Sequence, residues 1–412
     1  MKFAPDLAAF MFACMFSDRA NEVCRIAFLL NESVQPEPLR QAFDDLRLRF
    51  PSFFVGLQRT AFRNWLVNTG LGGDVVPAQR VCLPFKLGVQ NTLVRAIYEG
   101  NWLVFEFAHV VADGGAGVEF AKTLLVRYLE LCGEEVDWAG ILNLDEPPTP
   151  EELRDDYAHH YRKCKGKTPK PPIPFHHDVK REKGYLQITT VQLQLQQLIA
   201  AAKTAQVTVT EYLVAAYMLA FYRNDPKAQH SCRPIRITIP ISLRRFFNST
   251  SLRNFSLVTD LSLYPREHPN ATHADILSDI RGKLATQITP EEIDRLIYTN
   301  QSMRQVPIVD FVPNVLLRAG VYAGYMFMGE GTSALSNIGT IVLPPSVAVH
   351  VQNTQVAVST SPRAALQAIA HTYQNHHNVV FTHSTRNTSV IADFAHVLQE
   401  LGFDVTKETH PV

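Results

Sequence analysis

The residues best able to do chemistry lie in the stretch FEFAHVVADGGAGVEF, residues 105–120. His109, Asp113 and Gly114 form the pattern H-x-x-x-D-G within it. A histidine with an ordinary pKa of about 6.5 can take a proton from a hydroxyl or an amine at neutral pH. Such a base needs a rigid support to hold it in place. The pattern therefore indicates a general base at His109.

The elements around His109 are predicted to form such a support. Alternating apolar residues predict a strand over residues 102–108, which ends beside the histidine. Residues 92–98 predict the antiparallel partner of a hairpin. Asp113 and the glycines that follow it end the strand, and residues 114–132 predict an amphipathic helix. His109 is thus expected at the end of a strand, just before a tight turn.

Length, charge and cysteine content limit the class of protein. The 412 residues exceed one typical core and fit two domains of roughly 150 to 200 residues. Lys plus Arg and Asp plus Glu number 39 each, so no net charge attracts nucleic acid or an anionic membrane. No apolar run reaches the roughly 20 residues of a membrane span. Six cysteines without a C-x-x-C pair favour a reducing compartment, so we expect a cytoplasmic protein.

Composition divides the chain into three parts. Residues 1–150 carry the H-x-x-x-D-G pattern, and their apolar start, interrupted by Asp6, is expected to be the first folded element rather than a signal peptide. Residues 151–184 are rich in proline and charge, which predicts a linker. Residues 185–412 are expected to form a second mixed α/β half. Its predicted elements are strands at 185–190 and 236–243, and helices at 211–223, 272–287 and 391–401, the first of these helices capped by Thr208 or Thr210. Residues 307–328 are apolar but carry Pro313 and Arg318, which suits a core or channel wall better than a membrane span.

Three ordered segments give the chain a resemblance to a known family. Beside H-x-x-x-D-G they are ITIPISLRRFFNSTSLRNF, residues 237–255, and LSNIGTIVLP, residues 335–344. With these segments the chain resembles the chloramphenicol-acetyltransferase-like acyltransferases, which include alcohol acetyltransferases and the condensation domains of peptide synthetases. The stretch around His109 looks most like the standalone alcohol acetyltransferases. The resemblance implies an α/β fold with mixed sheets, in which two similar subdomains form a pseudo-dimer around a central channel.

The resemblance also implies roles for residues of the H-x-x-x-D-G pattern. His109 would be the general base, with no acyl-enzyme, which agrees with the absence of a G-x-S-x-G nucleophile motif from the chain. Asp113 would be structural and would pair with an arginine of the second half, Arg244 in the first place and Arg253 in the second. Gly114 would leave the channel open. Arg244 is also expected at the substrate-binding surface.

In the second half the resemblance implies a site at the S-N-I-G segment. Ser336 matches a hydroxyl that stabilises the tetrahedral oxyanion in relatives. Asn337 would assist it or fix the local turn, and Gly339 is expected beside the substrate. One departure concerns the first half, because many relatives carry two adjacent histidines and this chain has Ala108 before His109. The second histidine is the catalytic one, so the base is kept, but the change argues mildly against a peptide-bond-forming condensation domain.

Simpler interpretations of the same residues stay open. His109 could be a core histidine, Asp113 a turn residue, Arg244 a solvated side chain and Ser336 a loop serine. A metal site is not expected, because the pairs His159-His160, His176-His177 and His376-His377 lack further ligands at suitable spacing. Gly166-Lys167-Thr168 lacks the earlier glycine of a phosphate-binding loop, and no G-x-G-x-x-G is present.

The sequence thus predicts an acyltransferase that moves an acyl group from a thioester, acyl-CoA, to an alcohol, with no permanently bound cofactor. One alternative is a condensation or chain-release enzyme that uses a carrier-protein thioester to make an ester or an amide. A second is a non-catalytic module that binds a ligand on the same fold. The expected partners are a small-molecule acyl donor and an alcohol or amine acceptor, with an acyl carrier protein in the first alternative, and neither nucleic acid nor a membrane.

Overall fold

The strands of the protein are distributed over the whole chain. A computed structural model describes residues 1–18, 21–164, 166, 168–177, 179–302, 304, 311–328 and 331–410. The strands are β1 (Lys2–Phe3), β2 (Val23–Leu30), β3 (Gly56–Arg59), β4 (Asn64–Val67), β5 (Asp74–Pro77), β6 (Val94–Glu99), β7 (Trp102–Ala108), β8 (Gln187–Gln194), β9 (Ile235–Ser242), β10 (Ser256–Leu263), β11 (Ser333–Thr340), β12 (Val351–Val358), β13 (Leu366–Tyr373), β14 (His376–His383) and β15 (Val405–Thr409).

Helices lie between groups of these strands. They are α1 (Leu7–Met15), α2 (Pro36–Asp45), α3 (Gly114–Leu131), α4 (Pro150–Leu153), α5 (Asp156–His159), α6 (Leu195–Thr204), α7 (Val209–Asn224), α8 (Pro226–Gln229), α9 (Arg244–Phe247), α10 (His273–Ile280), α11 (Lys283–Gln287), α12 (Pro290–Gln301), α13 (Asn314–Met328), α14 (Pro345–Ala348) and α15 (Ser389–Glu400). No helix within the described residues is long and apolar enough to cross a membrane.

The strands of the described residues form two large sheets of mixed direction and one small antiparallel sheet. The first large sheet has the order β12-β2-β7-β6-β5 and the second β10-β9-β11-β13-β14-β8-β15, while β1, β4 and β3 form a small third sheet. Strand β11 runs parallel to β9 and β13, and β5 runs parallel to β6; the other pairs are antiparallel. The predicted α/β class with mixed sheets is therefore confirmed.

Helix α3 packs closely on the first sheet and fixes the end of the H-x-x-x-D-G turn. The ring of Phe120 stacks on that of Phe105 of β7 at 4.2 Å between centroids. One turn earlier in the helix, a Cβ on Gly117 would lie 2.4 Å from Cζ of Phe107, so only a glycine allows this approach. Since β7 and α3 are locked together, the residues between them have little freedom. The predicted strand, turn and helix are present.

The second sheet is covered by long apolar helices. Helix α7 begins with a capping box, because Thr208 accepts from the Glu211 backbone and the Glu211 side chain accepts from the Thr208 backbone. Of the two predicted caps, Thr208 is the one used. The continuous helix predicted over 272–287 is wrong at its centre, because Gly282 adopts a φ of +70° and separates α10 from α11.

The two halves of the chain are joined by shared structure. Strand β12 of the second half pairs antiparallel with β2 in the first sheet, with Gln355 opposite Ala27. The predicted linker also packs, since both carboxylate oxygens of Glu152 accept from Arg49, at 2.8 and 2.7 Å, and Tyr157 is fully buried. The division into 1–150, 151–184 and 185–412 stays a prediction. Strand β12 belongs to the third of these parts by sequence but lies in the sheet of the first.

Helix α13 covers most of the apolar segment 307–328, of which residues 307–310 lie outside the described residues. Nε of Arg318 donates to the carbonyl of Cys14, which holds one side of the helix against α1. Val315 and Phe327 on the other side are 68% and 76% exposed. A core position is therefore wrong for this side of the helix, because only one of its faces has a partner within the described residues.

Candidate active site

His109 follows β7 directly and is held at both its backbone and its ring. Its backbone N–H donates to the carbonyl of Glu22 at 2.8 Å. Its imidazole stacks on Phe12 of α1, with 4.3 Å between ring centroids and 28° between planes. The residue is partly exposed, whereas its Nδ1 atom is buried. Nε2 is therefore the ring nitrogen that an incoming group could meet.

The surroundings of His109 favour its neutral form. Burial lowers the pKa of the imidazole, because the charged form loses the solvation of water. The carbonyl of His109 itself, the charge of Asp113 and the side chain of Asn254 oppose this effect but do not outweigh it. At pH 7 the ring is therefore neutral and able to accept a proton, as a general base must be.

Asp113 links α3 to the second half of the chain. Its Oδ1 accepts from the backbone N–H of Ala116 at 3.1 Å and caps α3. Its Oδ2 accepts from Nη1 of Arg244 at 2.7 Å and from the backbone N–H of Phe255 at 2.8 Å. Burial alone would raise the pKa of this carboxyl, but the Arg244 charge and the hydrogen bonds outweigh it and the pKa is lowered. Asp113 is thus an ionised residue with every oxygen in use.

Arg244 is fixed by the loop in which it lies, between β9 and β10. Its Nε donates to the carbonyl of Ser251 at 2.9 Å, and its Nη2 to the carbonyl of Arg253 at 2.5 Å. The ion pair predicted with Asp113 is present in the structure. Arg253 has a different partner, since its Nη2 lies 3.5 Å from Oδ2 of Asp6. Arg244 is therefore a partly buried side chain fixed by three hydrogen bonds rather than a solvated one, with 18% of its side chain exposed.

The S-N-I-G segment lies on β11 of the second sheet. Nδ2 of Asn337 donates to the hydroxyl of Thr210 at 3.1 Å, and its Oδ1 accepts from the backbone N–H of Gly339 at 3.0 Å. The pairing with β13 shifts between these two residues, and Gly339 has a φ of +87°. Asn337 therefore fixes the local turn, one of the two roles expected for it.

Gly114 brings the S-N-I-G segment close to the H-x-x-x-D-G turn. A Cβ on Gly114 would lie 2.8 Å from Cδ1 of Ile338, so a larger residue would require the end of the Ile338 side chain to move. Ser336, two residues earlier, is partly exposed, and its hydroxyl has no hydrogen-bond partner among the described residues. The structure thus brings Ile338 of the S-N-I-G segment against Gly114, next to the Asp113–Arg244 pair. The role of Ser336 stays a prediction.

Sequence reasoning missed two residues next to His109 and one residue behind them. They are Phe12, which stacks on its ring, Asn254, which raises its pKa, and Asp6, which lies behind Asn254. Asp6 gave a signal as the charged residue that interrupts an apolar start. Asn254 lies inside the segment 237–255 that carries the family resemblance, but its contact with residue 109 is a product of the fold.

Other candidate sites find little support. The described residues contain no group of three or more His, Cys, Asp or Glu side chains placed to hold a metal ion. Lys167 of the Gly166-Lys167-Thr168 sequence lies outside the described residues. A groove of about 1200 Å³ lies in the first half, lined by residues such as Arg47, Leu71 and Trp138, and His109 is not part of it. The channel through the centre stays a prediction.

Comparison with known proteins shows which solved structures have a similar fold. No family model matches the chain, and no curated protein matches it in sequence. Among solved structures, polyketide synthase associated protein 5 from Mycobacterium tuberculosis is similar, with 14% identity over 96% of this chain and 97% of that one and a TM-score of 0.63. TRI101 from F. graminearum, complexed with coenzyme A and T-2 mycotoxin, has 8% identity over 98% and 99% of the two chains and a TM-score of 0.64. TRI3 trichothecene 15-O-acetyltransferase from Fusarium sporotrichioides has 12% identity over 96% and 95% and a TM-score of 0.56.

These similarities cover nearly the whole of each chain. They give the protein the two-lobed fold of the chloramphenicol-acetyltransferase-like acyltransferases and condensation domains, as the resemblance implied. Identities of 8 to 14% define the fold alone, so activity and substrates have to be argued from the site.

Proposed function

We propose that this protein is an acyltransferase that moves an acyl group from acyl-CoA to an alcohol, with His109 as general base. The observation that carries the proposal is a partly exposed histidine whose pKa is lowered by burial, next to a turn that an ion pair holds across the two halves. Similar structures support the substrate classes, since one was solved with coenzyme A and another is an O-acetyltransferase.

The proposed reaction needs one proton carrier and no covalent intermediate on the protein. Nε2 of neutral His109 takes the proton of the alcohol while the alcohol oxygen attacks the thioester carbonyl carbon. The carbonyl oxygen becomes an oxyanion, to which the free hydroxyl of Ser336 donates. When the carbon–sulfur bond breaks, the imidazolium returns the proton to the leaving thiolate. The products are an ester and a free thiol, and His109 is neutral again.

The other site residues keep this arrangement in place. Asp113 accepts three hydrogen bonds and has a lowered pKa, so it is suited to hold the turn and not to take a proton. Gly114 leaves room for Ile338 of β11 beside the H-x-x-x-D-G turn, and Gly339 allows the turn in β11, which supports a site formed by the two segments. No resident cofactor is required, because the thioester is a co-substrate. We also propose a cytoplasmic location, which the six free cysteines support.

The proposal is tested by the release of free thiol from thioesters. The purified chain is mixed with acyl-CoA of several chain lengths and with an alcohol, an amine or no acceptor. We expect release of coenzyme A that depends on the alcohol. The same acyl groups on a carrier protein separate the first alternative, because that enzyme would release thiol from the carrier and not from coenzyme A. No release from any donor with any acceptor would contradict acyl transfer and leave a binding module.

A further inference from the structure

Two buried polar atoms beside His109 have no hydrogen bond of good geometry among the described residues. They are Nδ1 of His109 itself and Oδ1 of Asn254, a residue with 0% of its surface exposed. Buried polar atoms are nearly always paired, so two such atoms at one site require an explanation. The Asn254 side chain raises the pKa of the imidazole, as an acceptor near it does, and so do the carbonyls of His109 itself and of Ala112. Neither carbonyl makes a hydrogen bond of good geometry with Nδ1. Hydrogen bonds of this kind are often long in the free enzyme and shorten when substrate binds.

The orientation of the Asn254 amide follows from its other neighbour. Oδ2 of Asp6 lies 3.5 Å from Nδ2 of Asn254, and Nη2 of Arg253 lies 3.5 Å from the same oxygen. An ionised carboxylate only accepts hydrogen bonds, so the NH₂ group of Asn254 must face Asp6. The amide oxygen is then turned away from Asp6. It can accept a hydrogen bond, and the buried ring nitrogen of His109 can donate one.

Asp6 is also linked to His109 through helix α1. Its Oδ1 accepts from the backbone N–H of Ala9 at 2.8 Å and caps α1. The same helix carries Phe12, whose ring stacks on the imidazole. Asp6 is fully buried, and burial raises its pKa to about 6 although Arg253 opposes the effect. A carboxylate in so unfavourable a place is retained at a cost in stability, which points to a role beyond folding.

We propose that Asn254 and Asp6 are positioning residues for His109. Asp6 orients the Asn254 amide, Oδ1 of Asn254 accepts from Nδ1–H of His109, and Nε2 is thereby left without a proton and directed towards the acceptor. No proton leaves the imidazole for Asn254 during the reaction, since an amide oxygen is not a base at neutral pH. The inference rests on the proposed function only for its effect on the rate, because the position and tautomer of the ring can be measured without turnover.

The charged groups around His109 determine how variants should act. Asp113 faces the imidazole from its own turn, while Asp6 and Arg253 lie behind Asn254. Asp155 from the start of α5 also acts on Asp6 and raises its pKa. A change at Asn254 removes no charged residue, but the Asn254 side chain also lowers the pKa of Asp6. The pKa of Asp6 is therefore measured in the same variants, so that a shift in the pKa of His109 caused by the hydrogen bond is separated from one caused by a change in the charge of Asp6.

Two variants change this hydrogen bond in opposite directions. Asn254→Ala removes the acceptor, so the pKa of His109 should fall further below its usual range. The exchange of Asp6→Asn together with Asn254→Asp moves the carboxylate next to the imidazole and should raise the pKa of His109 by about one unit or more. Asparagine caps a helix as well as aspartate does, so α1 keeps its cap in the exchange. Asn300→Ala, at an exposed asparagine of α12, is the control and should change nothing.

The pKa of His109 is measured by NMR of protein labelled with ¹⁵N in its histidines, together with kcat, KM and the pH dependence of thiol release. For Asn254→Ala we expect kcat to fall about ten- to hundredfold, a part of the roughly 10²- to 10⁴-fold that a positioned base contributes, with KM for the thioester little changed. Unchanged His109 pKa values in both variants, with turnover present, would overturn the positioning role. Opposite pKa shifts in a protein that turns over no thioester would instead support the positioning of the ring and refute acyl transfer. If Asn254→Ala does not fold, the exchange variant, which conserves size, decides the question alone.

Discussion

Replacing Arg244 with alanine removes the charge that compensates the buried carboxylate of Asp113. The two side chains are 18% and 6% exposed and their atoms Nη1 and Oδ2 are 2.7 Å apart. Removing one partner of a buried ion pair costs about 3 to 5 kcal/mol, because the other charge is left unpaired. Asp113 would keep the backbone N–H groups of Ala116 and Phe255. We therefore expect the free energy of unfolding to fall by an amount near the lower limit, about 3 kcal/mol.

The fall is measured by urea unfolding followed by circular dichroism at pH 7. Arg245→Ala is the matched control, since Arg245 is exposed and its guanidinium lies over the ring of Phe246 at 4.8 Å. That variant should change the free energy of unfolding by no more than about 0.5 kcal/mol. In a double-mutant cycle, Arg244→Ala with Asp113→Ala should cost about 1 kcal/mol less than the sum of the single changes. Equal costs for the two arginines, or an additive double mutant, would refute a stabilising ion pair.

The pH dependence of the same variant provides a second check. The pKa of Asp113 is lowered in the folded protein, so its pairing contributes stability above the unfolded pKa of about 3.9. That contribution is lost as the pH falls through the lower folded pKa. The difference in stability between the protein and Arg244→Ala should therefore become smaller below about pH 4. A difference that stays constant to pH 3 would contradict this reasoning.

Three further predictions concern packing and pH. Gly117→Ala should lower the free energy of unfolding by about 1 to 3 kcal/mol, because its Cβ would overlap a phenylalanine ring. Gly320→Ala, in open space on α13, should raise it by about 0.4 to 1 kcal/mol. Thermal unfolding compares the two variants, and similar effects of both would contradict the close packing of α3 on β7. Burial lowers the pKa of His371 and His377 to about 4, so the unfolded chain binds more protons than the folded protein between about pH 6.5 and 4. The free energy of unfolding should therefore fall as the pH is lowered, by about 2 kcal/mol per histidine at pH 5. Urea unfolding at pH 7 and pH 5 measures this fall, which should be smaller in His377→Gln, and an equal fall in both proteins would contradict the prediction. The rate of acyl transfer should fall only below about pH 6.5, since burial lowers the pKa of His109. A rate that already falls at a higher pH, as the solution is made more acidic, would be inconsistent with a neutral His109 as the base.

Elements with a regular apolar pattern could be predicted from the sequence. Strand β7 and helix α3 have the periods of two and 3.6 residues that periodicity detects, and both are present where expected. Helix α7 also carries the Thr208 and Glu211 of a capping box, which marks its start in the sequence. Local rules succeeded here because these signals lie close together along the chain, although β7 and α7 are buried along nearly their whole length.

Long-range pairing was beyond such rules. Strand β12 joins the sheet of the first half, and nothing in residues 351–358 specifies β2 as a partner more than 300 residues earlier. Strand β13 was not predicted, because it is buried throughout and has the polar residues His371 and Thr372 within it, so it lacks alternation. The break at Gly282 needed the left-handed backbone that only the fold demands.

The site shows the same division. His109 and Gly114 could be found in one short motif, and the resemblance to a family suggested Arg244 as the partner of Asp113. Asn254 could not be found in this way, because a buried asparagine beside an imidazole results from the meeting of three separate segments of the chain. Sequence patterns report residues near each other along the chain, whereas positioning residues are close only in space.

The central claim is that the imidazole of His109 takes the proton of the acceptor during acyl transfer. It is tested most directly by kcat/KM for alcohol-dependent release of coenzyme A in the protein, in His109→Ala and in the control His396→Ala, whose side chain is 65% exposed on α15. We predict a fall of about 10²- to 10⁴-fold for His109→Ala, with an unchanged unfolding curve and a control as active as the protein itself. A folded His109→Ala variant with kcat/KM close to that of the protein would contradict the assignment of the base.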